Sequence, residues 1–103
     1  MKKVVLQIDS AGEHHDVTLK DEISIGRTDL ANIVLPDSGL SRVNTTFFRE
    51  GDQIFVVDEN STNGTFVNGE QIFNSPKRIK DRDEITAGNE TTIYVEFSAE
   101  KPV

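Results

Sequence analysis

Thr65-Phe66-Val67-Asn68-Gly69-Glu70-Gln71-Ile72-Phe73 reads as a β-hairpin. Asn-Gly between two strand-forming runs is the strongest short signal for a type I′ turn, because both central residues of that turn need positive φ. Outward from this hairpin the chain repeats short β-branched and aromatic runs punctuated by turn formers. Val43 through Phe48 and Ile54-Phe55-Val56-Val57 are expected to pair antiparallel across Arg49-Glu50-Gly51-Asp52-Gln53. Val4-Val5-Leu6-Gln7-Ile8 is another strand, and Asp9-Ser10-Ala11-Gly12 a turn cluster after it. Val17-Thr18-Leu19 and Ile23-Ser24-Ile25 alternate as half-buried strands do. Ile33-Val34-Leu35 ends at Pro36, and the loop formers Asp37-Ser38-Gly39 place Ser41 at a loop end. Ile79, Ile85 and Thr92 through Phe97 supply the last strands. No apolar period of 3.6 residues persists beyond two turns, so no amphipathic helix is predicted and an all-β sandwich or barrel is.

The chain has 103 residues, enough for one domain that buries roughly 60–70% of its unfolded surface without staples. Cysteine is absent, which excludes a disulfide framework, thiol catalysis and thiolate metal sites, and fits a reducing compartment. Eleven basic residues against eighteen acidic ones leave a net charge of −7, which argues against sequence-independent nucleic-acid binding. No apolar run reaches the ~18 residues of a membrane span, and Met1-Lys2-Lys3 leads into too short an apolar run for a secretory signal. The expectation is a cytoplasmic monomer bound to neither membrane nor nucleic acid.

Three strings carry chemistry: Gly26-Arg27, Ser41-Arg42, and Ser61-Thr62-Asn63-Gly64-Thr65 followed by Val67-Asn68-Gly69. Each lies where a strand gives way to a loop. Arginine supplies a planar fork of donors matched to phosphate oxygens, and serine and threonine hydroxyls add short neutral hydrogen bonds. Screening confines surface fields to about 8 Å at physiological salt, so Arg27 with Arg42 can dominate a local pocket despite the acidic total.

In order and spacing these strings resemble the forkhead-associated (FHA) domain family, β-sandwiches that bind phosphothreonine peptides. The resemblance spans roughly Val4 to Phe97, with its discriminating motifs between Ile25 and Gly69. It implies a two-sheet antiparallel β-sandwich whose binding loops gather at one end, in a single domain covering residues 1–103. The core is expected at about 4–97 and a tail at 98–103. It implies that Arg27, Ser41, Arg42 and Thr62 hold phosphate and that Asn63 holds the peptide main chain. Gly26, Ser61, Gly64 and Asn68-Gly69 shape the backbone that presents them. The function implied is non-catalytic recognition of phosphothreonine on a partner protein, coupling a kinase's output to assembly or localisation, with no cofactor and no metal.

The chain departs from the family at Asn44, where a supporting histidine usually stands three residues after the loop serine. Asparagine is shorter, so a less rigid pocket is expected. That departure, with the acidic surface, supports an alternative: a degenerate FHA domain acting as a phosphorylation-independent scaffold. Gly39 offers no side chain for selecting peptide residues, which leaves Phe73 to Arg82, read as a loop bearing Lys77, Arg78, Lys80 and Arg82. Those four read as a solvated loop first and a source of selectivity second.

Rival chemistries fail on spacing. Asp58, Asn60 and Thr62 alternate like a calcium loop, yet glycine falls at the seventh position and Gly69 replaces the closing glutamate. His14 and His15 point to opposite faces of a strand, lack partners for zinc and read as surface residues. Neither histidine has a motif that would make Ser41 a nucleophile. The glycosylation patterns at Asn44, Asn60, Asn63 and Asn89 are read as chance.

Overall fold

The described residues, 2–99 of a computed structural model, form eleven strands and no helix. In chain order they are β1 (Lys2–Ser10), β2 (Glu13–Thr18), β3 (Glu22–Gly26), β4 (Ile33–Val34), β5 (Thr45–Glu50) and β6 (Gln53–Asp58). There follow β7 (Thr65–Val67), β8 (Glu70–Ile72), β9 (Lys77–Ile79), β10 (Glu84–Ala87) and β11 (Thr91–Ala99). They make a six-stranded sheet, β2-β1-β11-β10-β7-β8, and a five-stranded sheet, β4-β3-β5-β6-β9. Every strand pair is antiparallel except β3 with β4, which run parallel through Ile25↔Ile33 and Gly26↔Val34.

Period-2 alternation sets the inward faces. Val4, Leu6 and Ile8 of β1 meet Ile93 and Val95 of β11 and Ile85 of β10, and from the other sheet come Ile25, Phe47, Ile54 and Val56, all buried. Fully burying one such side chain stabilises by about 1.5–3 kcal/mol, and truncating Phe47 to alanine costs about 3–5 kcal/mol. Because the faces alternate strictly, a one-residue slip of β6 would turn Ile54 and Val56 to solvent.

The expected hairpin is present: Asn68 and Gly69 have φ of 50° and 84°, joining β7 to β8 as the type I′ reading requires. Three boundaries differ from expectation. Asp9 and Ser10 belong to β1, and the turn is confined to Ala11 and Gly12, at φ of 48° and 86°. Phe73 to Arg82 is not loop throughout, since Lys77–Ile79 pairs with β6 as an edge strand. β11 continues through Ser98 and Ala99 into the stretch expected as a tail, because Lys2 and Lys3 of β1 lie opposite to pair with it; residues 100–103 lie outside the described residues.

Two polar clamps hold loops against this frame. Buried Asp37 accepts the Gly39 amide at 2.8 Å, the Glu90 amide at 2.7 Å and the Thr91 hydroxyl at 2.7 Å. The Asn89 amide points at the same carboxylate at 3.0 Å. Burial alone pushes this carboxyl's pKa up, but the donated hydrogen bonds outweigh it and hold the value below the ordinary 3.8. The loop before β5 is thereby fastened to the β10–β11 turn. Gly39 is glycine for packing: a Cβ there would stand 2.6 Å from the Asn89 backbone nitrogen. The second clamp, centred on Asn44, belongs to the site.

Candidate functional site

β3 ends at Gly26, and the chain leaves the sheet as Arg27. A Cβ at Gly26 would stand 2.2 Å from the Arg42 carbonyl oxygen and 2.9 Å from Val43 Cα, so only glycine lets the two loops approach this closely. Across that gap the Arg27 amide donates to Ser41 O at 3.0 Å and the Thr28 amide to Arg42 O at 3.3 Å. The Thr28 hydroxyl reinforces the second bond at 3.2 Å. Arg27 Nε donates to Leu40 O at 3.0 Å, which leaves the two terminal nitrogens of its fork without a hydrogen bond among the described residues.

The β6–β7 loop closes the other side. The Ser41 hydroxyl oxygen accepts the Thr62 amide at 2.9 Å. One lone pair is thus occupied, and the hydroxyl hydrogen is left to donate outward. Arg27, Ser41, Arg42 and Thr62 line one concavity of about 540 Å³, with Leu30, Val43, Glu59 and Asn60 completing its wall. Neither Arg27 nor Arg42 forms a salt bridge among the described residues, although the chain carries a net −7.

The remaining expected site residues lie behind or beside this surface. Asn63 is exposed, and its Nδ2 donates to Gly39 O at 2.8 Å, tying the β6–β7 loop to the loop before β5. Gly64 sits at φ 87°, and its amide donates to Ser61 Oγ at 3.0 Å.

Asn44 is fully buried and spans more than its length suggests. Its Oδ1 accepts the Ser41 amide at 3.0 Å, while Nδ2 donates to the hydroxyls of Thr45 at 3.0 Å and Thr65 at 3.2 Å. Thr65 donates onward to Asp58 Oδ1 at 2.7 Å, and Asp58 accepts both the amide and the hydroxyl of Ser61. With Thr45 donating to Thr65 at 2.9 Å, every donor in this chain of bonds has an acceptor. No buried side-chain polar atom is left unpaired among the described residues. The looser pocket expected of asparagine is therefore not what the bonding shows, because the Thr45 and Thr65 hydroxyls come to meet the short side chain. Sequence reading missed Thr45, Asp58, Thr65 and Asp37 as members of these networks. Thr65 closes the third string and Asp58 and Asp37 bond neighbours two or three residues on, but each also bonds or joins groups that only the sheets bring close.

Lys77, Arg78, Lys80 and Arg82 do not line the concavity, Lys77 and Arg78 being on the edge strand β9. Selectivity from that segment is not supported. Arg82 instead borders a second concavity of about 460 Å³, where Asp81 and Glu96 oppose its charge and Tyr94 and Gln7 form the wall. Lacking a net positive charge, that surface is no anion site. His14 lies on β2, exposed, between Asp9 at 2.7 Å and Asp16 at 2.9 Å. Among the described residues, no three potential ligands cluster as a metal site.

The chain is 36% identical over 81 residues to an oxoglutarate dehydrogenase inhibitor of Corynebacterium jeikeium (strain K411), covering 79% of this chain and 55% of that protein. It spans only about half the length of that relative. Among solved structures, one FHA domain from a structural and functional analysis of phosphothreonine-dependent FHA domain interactions matches at 32% identity and TM-score 0.80. That match covers 98% of this chain and 99% of the other. The FhaA FHA domain, solved in complex with the intracellular domain of Rv3910, matches at 34% identity and TM-score 0.79 over 90% of this chain and 99% of its own. The FHA domain model matches residues 23–88, which contain all three loop strings and both sheets' site-bearing strands, and the chain belongs to the FHA domain family of non-catalytic interaction modules.

Proposed function

We propose that the concavity binds a phosphothreonine-bearing segment of a partner protein and that the domain carries out no reaction of its own. The observation that carries this reading is the pairing of two guanidinium groups, free of any salt bridge among the described residues, with the outward-donating Ser41 hydroxyl, in one hollow of an acidic chain. Phosphorylation brings about −1.5 to −2 charges and three acceptor oxygens. The free end of the Arg27 fork, Arg42 and the Ser41 and Thr62 hydroxyls supply donors for those oxygens. The donors are pre-set, since Arg27 is held through Nε and Ser41 through both its amide and its oxygen. Little ordering entropy is then lost on binding. Asn63 keeps its Oδ1 and one amide hydrogen available for a peptide main chain while bonded to Gly39. In this reading the domain docks where a kinase has acted, and so assembles or localises proteins.

Titration of matched phosphorylated and unphosphorylated peptides tests the proposal. The phosphorylated form is expected to bind at least a hundredfold more tightly, because charge-assisted hydrogen bonds contribute about 1.5–3 kcal/mol each. Equal affinities would overturn it.

A further inference from the structure

An anion site is not expected to carry an unneutralised carboxylate on its wall, yet Glu59 stands there. It is anchored: its Oε2 accepts the Thr46 hydroxyl at 2.6 Å, and its amide donates to Asn44 O at 3.0 Å. Its second carboxylate oxygen makes no hydrogen bond among the described residues, and Glu59 forms no ion pair there. Arg27 and Arg42 share the hollow without pairing to it. A bound phosphate is repelled by this charge within one screening length unless the ligand itself brings a cation.

Leu30 also lines the concavity, at 69% the most exposed of the large hydrophobic residues described. A single exposed leucine needs no explanation in general, but this one is held in place. The Ala31 amide donates to Thr28 O at 3.1 Å, and Thr28 is bonded to Arg42 O. Downstream, the Asn32 amide donates to Ser24 Oγ at 3.0 Å while Asn32 Oδ1 accepts the Ser24 amide at 2.8 Å. The loop thus presents an aliphatic side chain at the rim with its backbone fastened at both ends.

Resting on the phosphothreonine reading above, we infer that the ligand class is narrower: a phosphothreonine segment carrying a basic residue in the flank that meets Glu59 and a large aliphatic residue in the flank that meets Leu30. Glu59 discriminates by charge, attracting lysine or arginine and repelling an acidic neighbour. Leu30 discriminates by apolar contact, which becomes favourable only when a side chain covers it. Acidic phosphosites are disfavoured twice, by Glu59 and by the −7 of the whole chain.

The test uses phosphothreonine peptides that differ only in the flanks: lysine against glutamate, and leucine against alanine, placed on each side in turn. Fluorescence anisotropy is read for the wild type, Glu59→Gln, Glu59→Lys and Leu30→Ala, each checked by thermal melting. Wild type is expected to favour the lysine peptide over the glutamate peptide by about tenfold on one side. Glu59→Gln, which keeps an acceptor for Thr46, is expected to shrink that ratio to about threefold, and Glu59→Lys to reverse it. Leu30→Ala is expected to weaken the leucine-flanked peptide about fivefold while changing the alanine-flanked one less than twofold. A charge preference that survives Glu59→Lys, or equal losses for both peptides in Leu30→Ala, would overturn the inference. Phosphate-dependent binding indifferent to every flank overturns this inference alone, whereas binding indifferent to phosphate overturns the reading on which it rests.

Discussion

Asn44 Nδ2 donates to the Thr65 hydroxyl at 3.2 Å across twenty-one positions of sequence, fastening the start of β5 to the start of β7 directly behind the site. Both residues are fully buried, and the bond is one step of a continuous path from the Ser41 amide to Asp58 and Ser61. The loops around the concavity are therefore tied by neutral side chains that end on the Asp58 carboxylate, and several consequences can be measured.

Asn44→Ala removes three side-chain hydrogen bonds, strands the Ser41 amide and takes one donor from each of the Thr45 and Thr65 hydroxyls. A loss of about 2–3 kcal/mol is expected, seen as a melting temperature lower by roughly 10–20 °C. Phosphopeptide affinity should fall as well, since Ser41 loses its anchor. A melting temperature within 2–3 °C of wild type, about 0.5 kcal/mol, would contradict the network's role.

Gly26→Ala places a methyl group 2.2 Å from the Arg42 carbonyl oxygen, a backbone atom that can yield only by moving the whole loop. Destabilisation of about 1–3 kcal/mol is expected in urea titration, together with weaker peptide binding. Backbone NMR shifts should change at Ser41 to Val43 first. Shifts confined to residue 26 would show that the loop tolerates the methyl.

Arg27→Ala is expected to weaken phosphopeptide binding by ten- to hundredfold or more, while melting falls by no more than the loss of one Nε bond to Leu40 allows, about 0.5–1.5 kcal/mol. Arg27→Lys should recover only part of the affinity, because an ammonium group cannot reproduce the two-pronged contact. Full recovery would reduce the role of Arg27 to that of a point charge.

Asp37 predicts a pH dependence of definite sign. Its carboxyl sits below the ordinary 3.8 in the folded state, held there by donors from Glu90, Thr91, Gly39 and Asn89 against the cost of burial. Between the folded value and 3.8 the unfolded chain binds more protons, so stability rises with pH. The contribution is complete above the unfolded value and is lost as pH falls through the folded one. In urea denaturation at a series of pH values, the stability gap between wild type and Asp37→Asn should narrow below about pH 4. A gap that stays constant into strong acid would refute this assignment.

His14 behaves in the opposite sense. Its hydrogen bond to Asp9 and the charges of Asp9 and Asp16 raise its pKa above 6.5 against a smaller lowering by burial. Whatever it adds to the β1–β2 edge is present below 6.5 and fades as pH rises through the folded value. An NMR titration of the ring should show a midpoint above 6.5 that drops in Asp9→Asn; an unmoved midpoint would show that Asp9 is not the cause.

Local chemistry made much of this protein legible before any fold was known. Asn68-Gly69 needs no tertiary help to favour its turn, since positive φ is a property of the two residues themselves, and the strands follow from alternation that any half-buried sheet imposes. Arg27, Ser41, Arg42 and Thr62 are side chains of the kind phosphate chemistry allows, but it is the resemblance of the three strings together to the FHA pattern that implies their roles. What the chain's order could not disclose was which distant groups would complete one another. Asp37 closes on residues 52 to 54 positions away, and Asn44 succeeds in a supporting role because the end of β6 brings Asp58 and the start of β7 brings Thr65 to meet it and its neighbour Thr45. Nor could sequence separate Glu59 and Leu30 from any other charged or apolar loop residue. Their meaning comes from sharing a wall with two arginines, and that proximity exists only once two sheets have packed and their loops have been drawn to one end.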